Sequence, residues 1–178
     1  MDVSNVITVA STLTLYVLLT VAVIQDFRHM KVSNRLILVG LALGIFFQVI
    51  QNGPVAIVRV LPNIIFPVIV LYLLFLMRCL GAGDIKLFSV IGAFINFKEL
   101  KACIAVAFVI GAVFALAKML YRKNLFYRLF LLKCYAQEAA QGIITPYYYK
   151  SSEDLLHFSL PIALGLVVTQ LMRIFGIW

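Results

Sequence analysis

Residues 81–87 (GAGDIKL) place a single carboxylate, Asp84, between two apolar segments of the chain. A second carboxylate, Asp26, closes another apolar segment far upstream, and the whole chain contains only seven acidic residues. Carboxylates at membrane depth are energetically costly and usually functional. We therefore expect the fold to bring these two aspartates together at one face of a membrane.

The composition is that of a membrane protein. Of 178 residues, 64% are hydrophobic and 12% are charged, whereas soluble domains carry about 25% charged residues. At this length we expect one compact membrane-embedded domain, residues 1–178. The formal charge of +8 is explained by loops that collect Lys and Arg beside membrane lipids, and no nucleic-acid partner is expected.

Hydropathy predicts an all-α integral membrane protein, a polytopic bundle of about six transmembrane helices. A spanning helix needs roughly 20 apolar residues, and the predicted helices are 6–25, 36–51, 55–77, 85–97, 102–120 and 155–175. The fourth helix is short, so Asp84 is expected below the normal surface plane of the bilayer. Pro62 and Pro67 are expected to kink the third helix, as membrane helices tolerate.

The basic residues predict the topology. Eleven of the fifteen Lys and Arg residues fall on one side of the predicted bundle, and the richer side faces the cytoplasm. Both chain ends are then outside, and Asp26 and Asp84 both lie on the cytoplasmic side. Residues 121–154 also lie there, and their mixture of basic and apolar side chains predicts an amphipathic helix on the membrane surface.

Two adjacent carboxylates could carry out acid–base chemistry. They cannot both ionise easily, so one pKa rises, and the pair can share a proton, activate water and protonate a leaving amine. This is the chemistry of aspartic proteases, which need no metal and no cofactor. Because Asp26 ends a helix and Asp84 begins one, helix dipoles predict that Asp84 is more readily ionised and that Asp26 more often holds the proton.

The glycines of the second stretch have a predicted role as well. Gly81 and Gly83 allow a positive φ and a close backbone approach, so a substrate strand could lie directly against this loop. Taken alone, however, Asp84 is equally well explained as a helix N-cap, and Asp26 as an interfacial loop charge.

Other chemistries find less support in the sequence. His29 and His157 lack the spacing of metal ligands, which argues against a zinc protease. Ser159 lies close to His157 but without a nucleophile turn, which argues against a serine protease.

Two motifs carry a resemblance to a known family. Residues 26–34 read Asp-x5-Val-Ser-Asn, and residues 81–87 read Gly-x-Gly-Asp-x-Lys-Leu. In this order and within six predicted helices, they make the chain resemble the type IV prepilin peptidases, the A24 aspartic peptidases, over essentially its whole length. The small size is most similar to the minimal members that serve Tad-type pili, and archaeal preflagellin peptidases are similar too.

The resemblance implies a catalytic pair, Asp26 and Asp84, and a cut after a short basic leader, typically following glycine, at the cytoplasmic membrane face. It implies an exported prepilin-like protein as substrate, with an apolar helix that stays in the membrane. The candidates for supporting the site or binding substrate are Gly81, Gly83, Lys86, Asn34 and Arg28. By themselves, Lys86 and Arg28 are more simply explained as topology or lipid-headgroup residues.

The chain departs from the family pattern at Ser33 and in the length of residues 121–154, a connection that looks larger than in compact members. Ser33 stands where the family usually has proline, and we expect it to cap the second helix with little functional consequence. Many larger relatives carry a methyltransferase region with paired Cys-x-x-Cys. This sequence has no such pair and a first cytoplasmic loop of only about ten residues, so we expect cleavage without N-methylation.

Two other classes of protein remain possible at this stage. The aspartates could form the proton or cation site of a small transporter subunit, although the sequence lacks the inverted repeats of many transporters. The chain could also be an inactive structural subunit of a secretion assembly.

Overall fold

A computed structural model describes residues 3–77, 80–121 and 158–176, and all the regular structure within these ranges is helical. The helices are α1 (Val3–His29), α2 (Asn34–Asn52), α3 (Ala56–Leu76), α4 (Ala82–Phe94), α5 (Phe97–Tyr121) and α6 (Ser159–Ile174). The prediction of an all-α protein is confirmed. The predicted surface helix lies outside the described residues, except for Tyr121, which ends α5.

The chain divides into two compact units. One comprises Met1–Ile110 together with His157–Trp178, and the other comprises Gly111–Leu156. Within the second unit the structure describes only the C-terminal part of α5. Both aspartates belong to the first unit.

Among the described helices, α1, α2, α3 and α5 are long and apolar enough to cross a membrane. The remaining two are shorter, with 13 residues in α4 and 16 in α6. At 1.5 Å per residue, α4 extends over roughly 20 Å, against a hydrocarbon thickness of about 30 Å. The chain is an integral membrane helical protein with four candidate spans among its described helices, and α4 and α6 are shorter than these.

Several predicted helix boundaries were wrong, because hydropathy locates the apolar segment rather than the hydrogen-bonded helix. Helix α1 continues to His29, so Asp26 lies in its last turn, and only residues 30–33 separate α1 from α2. Helix α4 begins at Ala82 and therefore includes Asp84, and α5 begins at Phe97, so residues 98–101, which lay between the fourth and fifth predicted helices, are helical. Charged residues at a membrane surface can continue a helix because water solvates their side chains.

Helix α4 is the central element of the first unit. Eight of its residues are buried, from Ile85 to Ala93 with Lys86 as the exposed exception. It packs against α1, α2, α3 and α6. A helix that is apolar on all sides is expected at the centre of a bundle, and this position holds the first turn of α4 close to the ends of its neighbours.

Small residues permit this close packing. A Cβ atom added to Gly44 of α2 would lie 2.6 Å from Cβ of Ala93 in α4. In the same way, a Cβ atom on Gly165 of α6 would lie 2.9 Å from Cβ of Ala107 in α5. Small residues at helix contacts are common in membranes, where dispersion and close backbone approach drive association.

Amide side chains satisfy the carbonyl groups at the C-terminal end of α4. Gln48 of α2 donates through Nε2 to the Phe94 carbonyl oxygen at 3.1 Å. Buried Asn63 of α3 donates through Nδ2 to the Ile95 carbonyl oxygen at 3.0 Å. An unsatisfied carbonyl group away from water is costly, so these two bonds allow the chain to leave α4 and begin α5 only two residues later.

Replacing Asn63 by leucine is expected to lower the free energy of unfolding by about 1–2 kcal/mol, because the buried Ile95 carbonyl group would lose its donor. Thermal unfolding of the purified protein in detergent measures the effect. Asn52→Leu is the matched control, since Asn52 is exposed and its side chain donates to Gln48 at 3.0 Å. Equal losses in both variants would contradict this assignment.

Candidate active site

The ends of four helices meet around the two aspartates. Asp26 comes from the last turn of α1, Asn34 from the start of α2, Asp84 from the first turn of α4, and Ser159 from the first residue of α6. Two long-range side-chain hydrogen bonds and one electrostatic interaction connect these ends. The two sequence motifs therefore converge in three dimensions, as predicted.

The backbone of α4 fixes the carboxylate of Asp84. Gly81 is the N-cap, and its N–H group donates to Oδ2 of Asp84 at 3.1 Å. The Asp84 N–H group in turn donates to the Gly81 carbonyl oxygen at 3.2 Å. Asp84 is thus the third helical residue reaching back to the cap, as in one half of a capping box, rather than the N-cap itself.

Gly81 acts through the space that it leaves and not through an unusual dihedral angle. Gly81 has φ −78°, and the positive-φ glycines among the described residues are Gly53 and Gly176, so the predicted use of a positive φ at Gly81 and Gly83 was wrong. A Cβ atom on Gly81 would lie 3.1 Å from Oδ2 of Asp84. The missing side chain therefore leaves room for the carboxylate.

The environment of Asp84 raises the pKa of its carboxyl group. Asp84 is half-buried in the first turn of α4, outside the four candidate spans. Burial raises the pKa of Asp84 to about 6, the hydrogen bond from Gly81 opposes this rise, and the negative charge of Asp26 adds to it. Asp26 therefore lies close enough to repel the Asp84 carboxylate. Burial thus acts against the predicted ready ionisation of Asp84, because it raises the pKa of Asp84 more than the Gly81 hydrogen bond lowers it.

Asp26 has a hydrogen-bond donor that sequence reasoning missed. The hydroxyl group of Ser159 donates to Oδ2 of Asp26 at 2.6 Å, and Ser159 is fully buried. The two residues are 133 positions apart, so no local pattern connects them. The available signal was Pro161, which favours a helix start close to Ser159. It lies in the first turn of α6, where an N–H group has no intrahelical partner, so proline is tolerated there.

The first motif also contributes to the start of α2. Lys86 of α4 donates through Nζ to Oδ1 of Asn34 at 2.9 Å, which joins the two motifs directly. Ser33 is the N-cap of α2, and its Oγ accepts from the Arg35 N–H group at 3.3 Å, so the predicted capping role is confirmed. Its own N–H group donates to Oε1 of Gln25 at 3.0 Å, a bond that proline could not make.

The two remaining candidate site residues, Gly83 and Arg28, lie at the edge of the site. Gly83 is part of α4, and a Cβ atom there would meet Val32 at 3.7 Å, an ordinary contact. Arg28 is exposed in the last turn of α1. Within residues 3–77, 80–121 and 158–176 the structure shows no ion pair between Arg28 and either aspartate.

The fold and this site define a class: an integral membrane helical protein with two neighbouring carboxylates where its helix ends converge. The family model of Peptidase_A24, the type IV leader peptidase family, matches residues 13–116. The chain belongs to this family and is a peptidase. No curated protein and no solved structure gives a significant match. The family match includes both aspartates and ends within α5, so α6 lies beyond it.

Proposed function

We propose that this peptidase is an aspartic endopeptidase that removes the short basic leader from prepilin-like proteins at the cytoplasmic face of the membrane. Asp26 and Asp84 are its catalytic residues. The observation that carries the proposal is the electrostatic interaction between these two carboxylates at converging helix ends. The excess of basic residues on the same side supports the cytoplasmic location.

The two aspartates take different roles in the proposed reaction. Asp84 enters the reaction protonated and donates its proton to the scissile carbonyl oxygen, while Asp26 enters it as a carboxylate. Asp26 removes a proton from water, and the water oxygen attacks the carbonyl carbon. The tetrahedral intermediate then collapses as Asp26 returns a proton to the leaving nitrogen and Asp84 regains its own from the intermediate.

Three other groups organise the site in this scheme. The Gly81 N–H group orients the Asp84 carboxyl group, and the missing Gly81 side chain leaves space beside it. The bond between Lys86 and Asn34 holds the start of α4 against the start of α2. The proposed acid–base scheme uses no metal ion and no cofactor.

Co-expression with prepilins tests the proposal. The protein is produced with a Tad-type prepilin, a larger type IV prepilin or an archaeal preflagellin, and loss of the leader is followed by gel shift and mass spectrometry. We compare the wild type, the double variant Asp26→Asn/Asp84→Asn and the control Glu99→Gln at matched membrane levels. Glu99 is a carboxylate in the first turn of α5 that pairs with Arg173 at 2.9 Å.

We expect the wild type and Glu99→Gln to cleave at least one of the three substrates and the double variant to cleave none. Cleavage that persists in the double variant would remove the aspartate pair from the mechanism. Failure of the wild type on all three substrates would contradict the proposed substrate class. The substrate that is cleaved distinguishes a pilus function from an archaeal flagellar one.

A further inference from the structure

Ser159, the buried serine at the start of α6, donates a hydrogen bond to Asp26, one of the two proposed catalytic residues. Its Oγ lies 2.6 Å from Oδ2 of Asp26, within the range of a hydrogen bond between a hydroxyl group and a charged carboxylate. The side chain of Ser159 is 0% exposed. A hydroxyl group buried at this position, with a carboxylate oxygen in reach, is held in one geometry.

We propose that Ser159 is a positioning residue for catalysis, and that α6 therefore completes an active site whose two aspartates come from α1 and α4. This inference rests on the proposed function. By donating to Oδ2, Ser159 restricts the rotamer of Asp26 and so the position of its carboxylate in the site. The family match ends before α6, so nothing in that match assigns this residue.

The hydrogen bond from Ser159 acts on Asp26 close to the point where α1 ends. Asp26 lies in the last turn of α1, where its neighbours Phe27 and Arg28 are both exposed. A displacement of about 1 Å in a reacting group can cost about 100-fold in rate.

The start of α6 is anchored independently of Asp26, which makes Ser159 suited to this role. Phe158 contacts the ring of Phe108 in α5, with ring centroids 5.4 Å apart. Pro161 fixes φ in the first turn and is itself fully buried. Further along α6, Gly165 lies tightly against Ala107. These contacts hold the serine in place whether or not the aspartate is present.

The chain offers a matched control for this residue. Ser89 in α4 is also buried, with 4% exposure, but its hydroxyl group donates to the Ile85 carbonyl oxygen of its own helix at 3.2 Å. Ser89→Ala therefore removes the same atom from a similar environment without touching a carboxylate. Ser159→Thr is the conservative variant, because it keeps the hydroxyl group.

Steady-state kinetics on a cleavable prepilin test the role in catalysis. We expect Ser159→Ala to lower kcat about 10- to 100-fold with KM changed less than about threefold, because the hydroxyl group acts on Asp26 and not on substrate. Ser159→Thr is expected to recover most of this loss, and Ser89→Ala to match the wild type. A kcat for Ser159→Ala within twofold of the wild type would overturn the inference, as would a threonine variant as slow as alanine.

A thermal double-mutant cycle tests the contact without relying on activity. Ser159→Ala is expected to lower Tm in the wild-type background and to have a smaller effect in an Asp26→Ala background, because the partner is then already absent. Additive shifts would overturn the inference even if kcat fell. If the wild type cleaves nothing, the proposed function and the catalytic role fail together, and the cycle still decides whether Ser159 and Asp26 interact.

Discussion

Replacing Asp84 by asparagine is expected to abolish leader cleavage and, at neutral pH, to make the protein more stable. Asparagine has nearly the same shape and can still accept the hydrogen bond from Gly81. It cannot hold and transfer the proton, and a group in acid–base catalysis contributes about 10²- to 10⁴-fold in rate. The loss of cleavage should therefore occur in a protein that is fully folded.

The gain in stability follows from the raised pKa of Asp84. Its ordinary value is 3.8, and burial raises it to about 6 in the folded protein. Below about pH 4 the carboxyl group is protonated in both the folded and the unfolded state, so its ionisation does not destabilise the folded state. As pH rises through 6, ionisation favours the unfolded state, and wild-type stability falls. The asparagine variant has no such loss.

The expected difference is about 1–2 kcal/mol above pH 7. The rise of the pKa from 3.8 to about 6 corresponds to about 3 kcal/mol, and we reduce this because water still reaches the half-buried side chain. Thermal unfolding of the wild type and Asp84→Asn in detergent at pH 4, 6 and 8 measures it. The two curves should converge at pH 4 and separate at pH 8. Parallel curves across this range would show that Asp84 is not protonated preferentially in the fold.

The sequence was sufficient for the parts of the fold that depend on composition and local pattern. Apolar segments predicted the number and order of the described helices, and the two motifs predicted that Asp26 and Asp84 would converge. Hydropathy misplaced the helix ends, because Asp26 and Asp84 lie in helical turns that are not apolar. The position of the helix end matters at α4, because Asp84 is half-buried and hydrogen-bonded to the N-cap, Gly81, only when the helix begins at Ala82.

Contacts between distant helices could not be predicted from a single sequence. Nothing in the pattern around Ser159 shows that it lies beside Asp26, and nothing around Asn63 shows that it serves the end of α4. Such polar residues in apolar helices do carry a general signal, because a buried polar group needs a partner. The signal predicts that a partner exists, and only the packed helices identify it.

Gly92→Ala is expected to be strongly destabilising, by about 3 kcal/mol, although alanine is the better helix former. Pro67 lacks an N–H group, so it cannot donate to the carbonyl group of Asn63, four residues earlier in α3. Helix α4 approaches this oxygen at Gly92, where an added Cβ atom would overlap with it. Both groups belong to backbones, so the overlap can be relieved only by separating α3 from α4.

Gly83→Ala in the same helix is the control for this prediction. A Cβ atom on Gly83 would meet Val32 at 3.7 Å, so the methyl group fits and helix propensity alone predicts a gain of up to about 1 kcal/mol. At Gly92 the same gain is outweighed by an overpacking cost that is typically about 1–3 kcal/mol and larger where neither side can move. Thermal unfolding of both variants in one detergent gives the comparison. Equal stability would mean that α3 and α4 lie further apart, and because α4 carries Asp84, the geometry of the site would then change with them.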